Sequence, residues 1–166
     1  MLICGCQNTP QPESVTPPPV ETVKPHPAIK HPLGVIGAVE PIYILPLKSS
    51  FQARIDTGAK FSSLDVDDYH FFERDGVKWI SFLIKNNKSG ESQQFEKRLK
   101  DTIQVRRIQH NEKRPIVTLT VKFGGKIITA DFTLAKREKF DYQVLVGRNI
   151  LTGRAIVDTA LSNTLR

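Results

Sequence analysis

Apolar and polar positions alternate in short runs along most of the chain beyond residue 40. In Phe51–Asp56 (FQARID), Phe51, Ala53 and Ile55 fall on one face, the period-two pattern of a half-buried strand. Val77–Lys85 (VKWISFLIK) is rich in β-formers and follows an Asp75-Gly76 turn. Thr102–Gln109 (TIQVRRIQ) alternates again. Ile116–Phe123 and Lys126–Ala135 flank Gly124-Gly125, the clearest hairpin signal, because paired glycines suit the positive-φ positions of a tight turn. Pro41–Leu47 (PIYILPL) and Tyr142–Gly147 (YQVLVG) are short apolar runs of the buried type. Arg148–Gly153 (RNILTG) predicts one short helix, and Arg154–Ala160 (RAIVDTA) a closing strand. There is no long amphipathic helix and no internal repeat long enough for a second lobe. Many short strands separated by turns predict a mostly β domain, a barrel or a sandwich.

Composition divides the chain before that domain begins. Eight of the eleven prolines fall between Pro10 and Pro32. Such a stretch favours extended polyproline geometry and carries too few large apolar groups to offset the entropy of ordering. Residues 7–33 are therefore expected to form a stiff, disordered tether, and residues 34–166 the folded domain. No run of 18 apolar residues exists that could cross a bilayer as a helix. The net charge is +7, and the stretch 85–114 alone contributes +5, with nine Lys/Arg against four acids. A basic stripe suits an acidic peptide, anionic lipid or nucleic acid, or is simply a solvated surface. Only Phe95 interleaves these charges, so stacking platforms for single-stranded nucleic acid are scarce and no nucleic-acid partner is expected.

Both cysteines, Cys4 and Cys6, lie at the extreme N-terminus, which excludes a disulfide framework or cysteine metal site in the domain. The start LICGC resembles a bacterial lipobox, with Cys6 as the lipid acceptor and residues 1–6 as the remnant of a signal segment. That resemblance implies a lipoprotein held on the periplasmic side of a bacterial envelope membrane.

Composition leaves a Ser-His-Asp set open, but the familiar catalytic motifs are missing. The four histidines, His26, His31, His70 and His110, show no paired spacing for zinc. No GxSxG elbow or phosphate loop is present. What remains is Asp56-Thr57-Gly58-Ala59. Its bland reading is a turn, since all of these residues favour local backbone bonding or permissive φ. A second stretch changes the weighting: Val144–Gly153 (VLVGRNILTG) places Gly147-Arg148-Asn149 and an aliphatic helix start after an apolar strand.

Together these two motifs resemble the retropepsin-like aspartic peptidases. The wider pattern DTGAKFSSL, ERDGVKW, GG and LVGRNILTGRAIVD, in that order, resembles more specifically the RimB-type family over about residues 35–162. That family is often labelled an ATP-dependent zinc protease and is associated with ATP-grasp amide ligases. Neither zinc nor ATP finds ligands in this sequence, so no cofactor and no metal are expected.

The resemblance implies an acid-protease barrel with one short C-terminal helix, and Asp56 as the catalytic carboxylate. Thr57, Gly58 and Ala59 would support the loop, Gly58 by letting the backbone turn without a Cβ clash. Such enzymes activate water between two carboxylates that share a proton. This chain supplies one; Asp158, in VDTALS, has Ala160 where the turn needs glycine. A peptidase therefore implies a homodimer with Asp56 facing Asp56, in which RAIVDTA is a candidate interface strand. Arg148 is expected to be structural, although the acidic partner usual four residues after the catalytic Asp is Lys60 here. Lys60 would sit beside the substrate, and with a flap from 85–114 it suggests an acidic, Glu-rich peptide. Gly147 and Asn149 are structural neighbours, and Trp79 is core or flap root. The competing readings are a catalytically silent relative that binds peptides in the same cleft, and a nucleic-acid-binding barrel.

The lipobox reading is checked by membrane fractionation of Cys6→Ser. Release of the variant into the soluble fraction is expected; unchanged membrane association would rule out the anchor.

Overall fold

The computed structural model describes residues 30–106, 111–135 and 141–165. Cys6 and the tether as far as residue 29 lie outside the described residues. Among the described residues twelve strands and one helical turn occur in the order β1 (Val35–Ile36), β2 (Val39–Ile44), β3 (Phe51–Ile55), β4 (Ser62–Asp65), β5 (Tyr69–Arg74), β6 (Val77–Lys85), β7 (Ser92–Arg98), β8 (Asp101–Arg106), β9 (Asn111–Phe123), β10 (Lys126–Ala135), β11 (Val144–Val146), α1 (Arg148–Leu151) and β12 (Ile156–Val157).

Six of these close into a barrel. The ring runs β10-β4-β11-β3-β2-β9 and returns to β10. The β10–β4 and β11–β3 pairs are parallel; the others are antiparallel. Closure follows from alternation: Phe51, Ala53 and Ile55 of β3, Val144 and Val146 of β11, and Val117, Leu119, Val121 and Phe123 of β9 all point inward and are buried. Each fully buried Phe or Leu in such a core contributes on the order of 1.5–3 kcal/mol. Gly124 and Gly125 take φ values of 54° and 71°, so the β9–β10 turn uses both glycines as the hairpin pattern requires.

Outside the barrel, β5-β6-β7 form a three-stranded antiparallel sheet. Ile80, Phe82, Ile84 and Phe95 on its inner face join the same core. Trp79 lies on the outer face, half-buried rather than in the core. It stacks on Phe72 at 6.3 Å, with the Arg74 and Arg98 guanidinium groups 4.9 and 5.7 Å from its ring.

The expected elements shift in places. The first barrel strand is 39–44 rather than 41–47, because Leu45 and Pro46 form a turn. β9 begins at Asn111 and runs through Pro115, which is tolerated where the strand is paired on one side only. Within the described residues β8 ends at Arg106; residues 107–110, which include the end of the expected 102–109 strand, lie outside them. The closing strand expected over 154–160 is only Ile156–Val157. Beyond it Asp158 Oδ1 accepts from Ala160 N at 2.9 Å and the chain turns. The packed chain begins before Gly34: Leu33 is buried, and its N–H donates to Arg154 O.

One carboxylate holds both ends of the domain. Glu40 is an inward-facing β2 residue with no exposed surface. Its Oε1 accepts from Gly37 N, Thr164 N and Thr164 Oγ1 at 2.6, 3.1 and 2.7 Å, and its Oε2 from Leu165 N at 2.9 Å. Burial pushes this carboxyl up, but the hydrogen bonds from Leu165, Thr164 and Gly37 outweigh it and hold the group below its ordinary range. The C-terminal segment passes so close to Gly37 that a Cβ there would stand 2.3 Å from Leu161 O.

A carboxylate whose folded pKa is depressed stabilises the fold fully above its unfolded value and loses that contribution as pH falls through the folded one. Glu40→Gln can keep an oxygen at the Oε1 position only by turning its NH2 toward Leu165 N–H. It is expected to lose roughly 2–3 kcal/mol at neutral pH. Urea midpoints of the two proteins should converge as pH is lowered; a constant difference down to strong acid would refute the clamp.

Candidate active site

The Asp-Thr-Gly loop closes β3. Ile55 N donates to Ala38 O and Asp56 N to Val146 O, both at 2.9 Å, so the last strand residue and the Asp are pinned from opposite sides. The Asp56 side chain folds back on its own loop: Oδ1 accepts from Gly58 N at 2.9 Å and from Ala59 N at 3.1 Å. Gly58 does not use the positive-φ region. Its reason is steric, since a Cβ there would come within 3.2 Å of Asp56 Oδ1.

Arg148 supplies the other half of this geometry. It projects from the first turn of α1, and Nη1 donates to Thr57 O at 3.0 Å and Gly58 O at 2.6 Å. Its partner is therefore the loop backbone rather than an acidic side chain. The same two peptide groups serve both residues. The Thr57–Gly58 unit accepts from Arg148 through its carbonyl and donates to Asp56 through its N–H, and the Gly58–Ala59 unit does the same. Each peptide dipole is thus aligned between a cation and a carboxylate, and the bonds in such a chain polarise one another.

Neighbouring residues fix where Arg148 stands. Gly147 is buried, and a Cβ on it would lie 2.6 Å from Phe61 O and 3.0 Å from Ala59 O. Its N–H donates to Ser62 Oγ. That hydroxyl donates to Asn149 Oδ1, which also accepts from Ser62 N, while Asn149 Nδ2 donates to Asp131 O. Asn149 thereby ties α1 to β4 and β10. Arg148 N and Asn149 N donate to Ala59 O and Lys60 O, so the turn before α1 runs alongside the Asp56 loop. Thr57 is exposed, and its hydroxyl has no hydrogen bond among the described residues. Lys60 is exposed, with Nζ 5.1 Å from the Phe61 ring centroid.

All eight domain residues singled out in the sequence, Asp56 to Lys60 and Gly147 to Asn149, thus meet at one end of β3 and β11. Ser62 has no role readable from the sequence; its signal is only the second half of the DTGAKFSSL pattern. Asp158 stands apart, capping its own turn. Among the described residues no group of three or more His, Cys, Asp or Glu side chains could hold a metal ion.

A six-stranded barrel with an Asp-Thr-Gly loop braced by a Gly-Arg-Asn turn defines a retropepsin-like protein. Residues 35–165 match the family described as retropepsin-like aspartic endopeptidase RimB, and the chain belongs to that RimB-like family. It is similar to a probable alpha-L-glutamate ligase of Shewanella pealeana, 27% identical over 116 residues, which cover 68% of this chain and 25% of that protein. A protein of the same description from Parasynechococcus marenigrum is 31% identical over 124 residues, covering 70% and 26%. The chain thus spans about a quarter of the length of these curated relatives. Among solved structures it resembles Lpg0085 of Legionella pneumophila, a protein of unknown function, with a TM-score of 0.68 and 29% identity, covering 80% of this chain and 98% of that one.

Gly147→Ala should destabilise the fold by roughly 1–3 kcal/mol, because the clash is with backbone rather than a movable side chain. A thermal midpoint equal to wild type would contradict the close approach.

Proposed function

We propose that the chain is an aspartic endopeptidase whose working site is completed by a second copy, with Asp56 of each protomer facing the other across a two-fold axis. The observation that carries this reading is the one-sided bonding of Asp56. Oδ1 is held by two N–H groups, whereas Oδ2 accepts no hydrogen bond among the described residues. A second carboxylate on the open side would make the pair that peptide hydrolysis needs. Two like charges about 3 Å apart cannot both ionise, so one acts as base and the other as acid.

An apolar patch beside the site suits the contact between copies. Val35 and Ile156 are register partners in the β1–β12 pair and are 51% and 52% exposed, with Leu161 40% exposed nearby in the chain path. Ala38 links this region to the site, donating to Leu161 O and accepting from Ile55 N. The patch would lose its exposure in an isologous dimer.

Lys60 and the basic stretch 85–114 favour acidic peptides as substrates. Relatives named alpha-L-glutamate ligase contain this module, which fits glutamate-rich peptides as the class. The lipid anchor at Cys6 would confine such a peptidase to the periplasmic face of the envelope.

Cleavage of a peptide library, measured over a wide range of protein concentration, tests the proposal. Specific activity is expected to rise through the dimerisation range. A fivefold excess of Asp56→Asn should lower wild-type activity about sixfold if the chains pair at random. Concentration-independent cleavage with no interference from Asp56→Asn would overturn the shared dyad. Peptide binding without cleavage would favour the silent relative.

A further inference from the structure

We infer that Arg54 is the residue that reads the substrate, taking the side-chain carboxylate of a Glu or Asp next to the bond to be cut. The inference rests on the peptidase reading above and assigns a role to a residue outside both motifs.

The argument begins with strand parity. In β3 the side chains of Phe51, Ala53 and Ile55 point into the barrel. Arg54 therefore points outward. Asp56, two residues on, continues on the same side of the chain. The spacing of alternate residues is about 6.6 Å, which is also the spacing of same-side residues in an extended peptide. A substrate running alongside β3 past Asp56 as an extended strand would therefore bring a neighbouring side chain within reach of Arg54.

The sheet register extends this face. Arg54 pairs with Leu145 of β11, and Leu145 pairs with Ser63 of β4. The three form one outward row, a cation, an aliphatic side chain and a hydroxyl. Two residues further on along β3 and β11 come Asp56 and the buried Gly147, against which the Phe61 and Ala59 carbonyls pack. Ser63 Oγ is buried and has no hydrogen-bond partner among the described residues. An exposed cation and a buried hydroxyl in one row are thus both without a polar partner among the described residues.

Charge supports the assignment. Arg54 is exposed and makes no ion pair or hydrogen bond among the described residues. Its guanidinium lies 5.9 Å from the centroid of the Tyr142 ring, which steadies it without neutralising it. Arg148, the other guanidinium here, is occupied by the Thr57 and Gly58 carbonyls. Lys60 is a single-point charge on a flexible stem. A planar fork held against an aromatic ring suits bidentate recognition of a carboxylate.

The test uses the full chain and a peptide library in which each position in turn is Glu or Gln. For the position flanking the cleaved bond, wild type should prefer Glu by roughly tenfold in kcat/KM, the scale of a charge-assisted hydrogen bond. Arg54→Gln should bring that ratio close to one, and Arg54→Lys should restore part of it. If peptides are cleaved but the ratio is the same in Arg54→Gln, the inference fails and the peptidase reading stands. If no peptide is cleaved, fluorescence anisotropy with a labelled Glu-rich peptide and its Gln counterpart decides the matter. A Glu preference lost in Arg54→Gln would keep Arg54 as the reader and remove the peptidase reading. Absence of any such preference would overturn both.

Discussion

Two peptide groups lie between a guanidinium and a carboxylate, and the arrangement of the site depends on them. Arg148 draws the carbonyls of Thr57 and Gly58 to one side of the loop, which leaves the N–H groups of Gly58 and Ala59 aimed at Asp56 Oδ1. Both ends of each dipole are matched by charge, so rotating either peptide would lose two charge-assisted bonds at once. The other local features serve to hold Arg148 in position. Gly147 allows the backbone of residues 59–61 to pass against it, and Asn149 locks the turn to β4 and β10. Both bonds leave a single nitrogen, Arg148 Nη1, so one cationic group holds the two carbonyls together.

Glu40 repeats the device in the interior. It too gathers backbone N–H groups around a carboxylate, but with no solvent exposure, and the groups it gathers come from opposite ends of the domain. The two carboxylates are mechanically connected. Glu40 fixes Gly37 and the start of β2, Ala38 then accepts from Ile55, and Asp56 follows directly. The C-terminal residues thus help to set the position of the Asp56 loop without touching it.

The legible parts of the fold were those in which alternation and burial agree. β6 matches its apolar run, and β10 and the Gly124-Gly125 turn match the hairpin pattern, because hydrophobic spacing and turn chemistry point to one structure there. β5 and β7 were not legible. YHFFER and SQQFEKR bury little, and their strand character comes from pairing with β6 rather than from their own pattern. The site was legible as two motifs but not as a bonded unit. Arg148 has backbone for a partner, and carbonyls leave no trace in a sequence. Glu40 looks like an ordinary solvated charge until the tail that covers it is in place.

Leu33 and Leu165 meet over the β9–β10 turn: a Cβ on Gly124 would lie 2.8 Å from one leucine and 3.0 Å from the other. The chain therefore arrives at the domain and leaves it at a single spot. A domain threaded in this way behaves topologically as a large loop. It can interrupt a surface turn of another protein, or have its two ends joined and be reopened elsewhere, without disturbing the barrel. Whatever is attached to either end inherits the same point of departure, so a neighbour on one side is held within reach of a neighbour on the other.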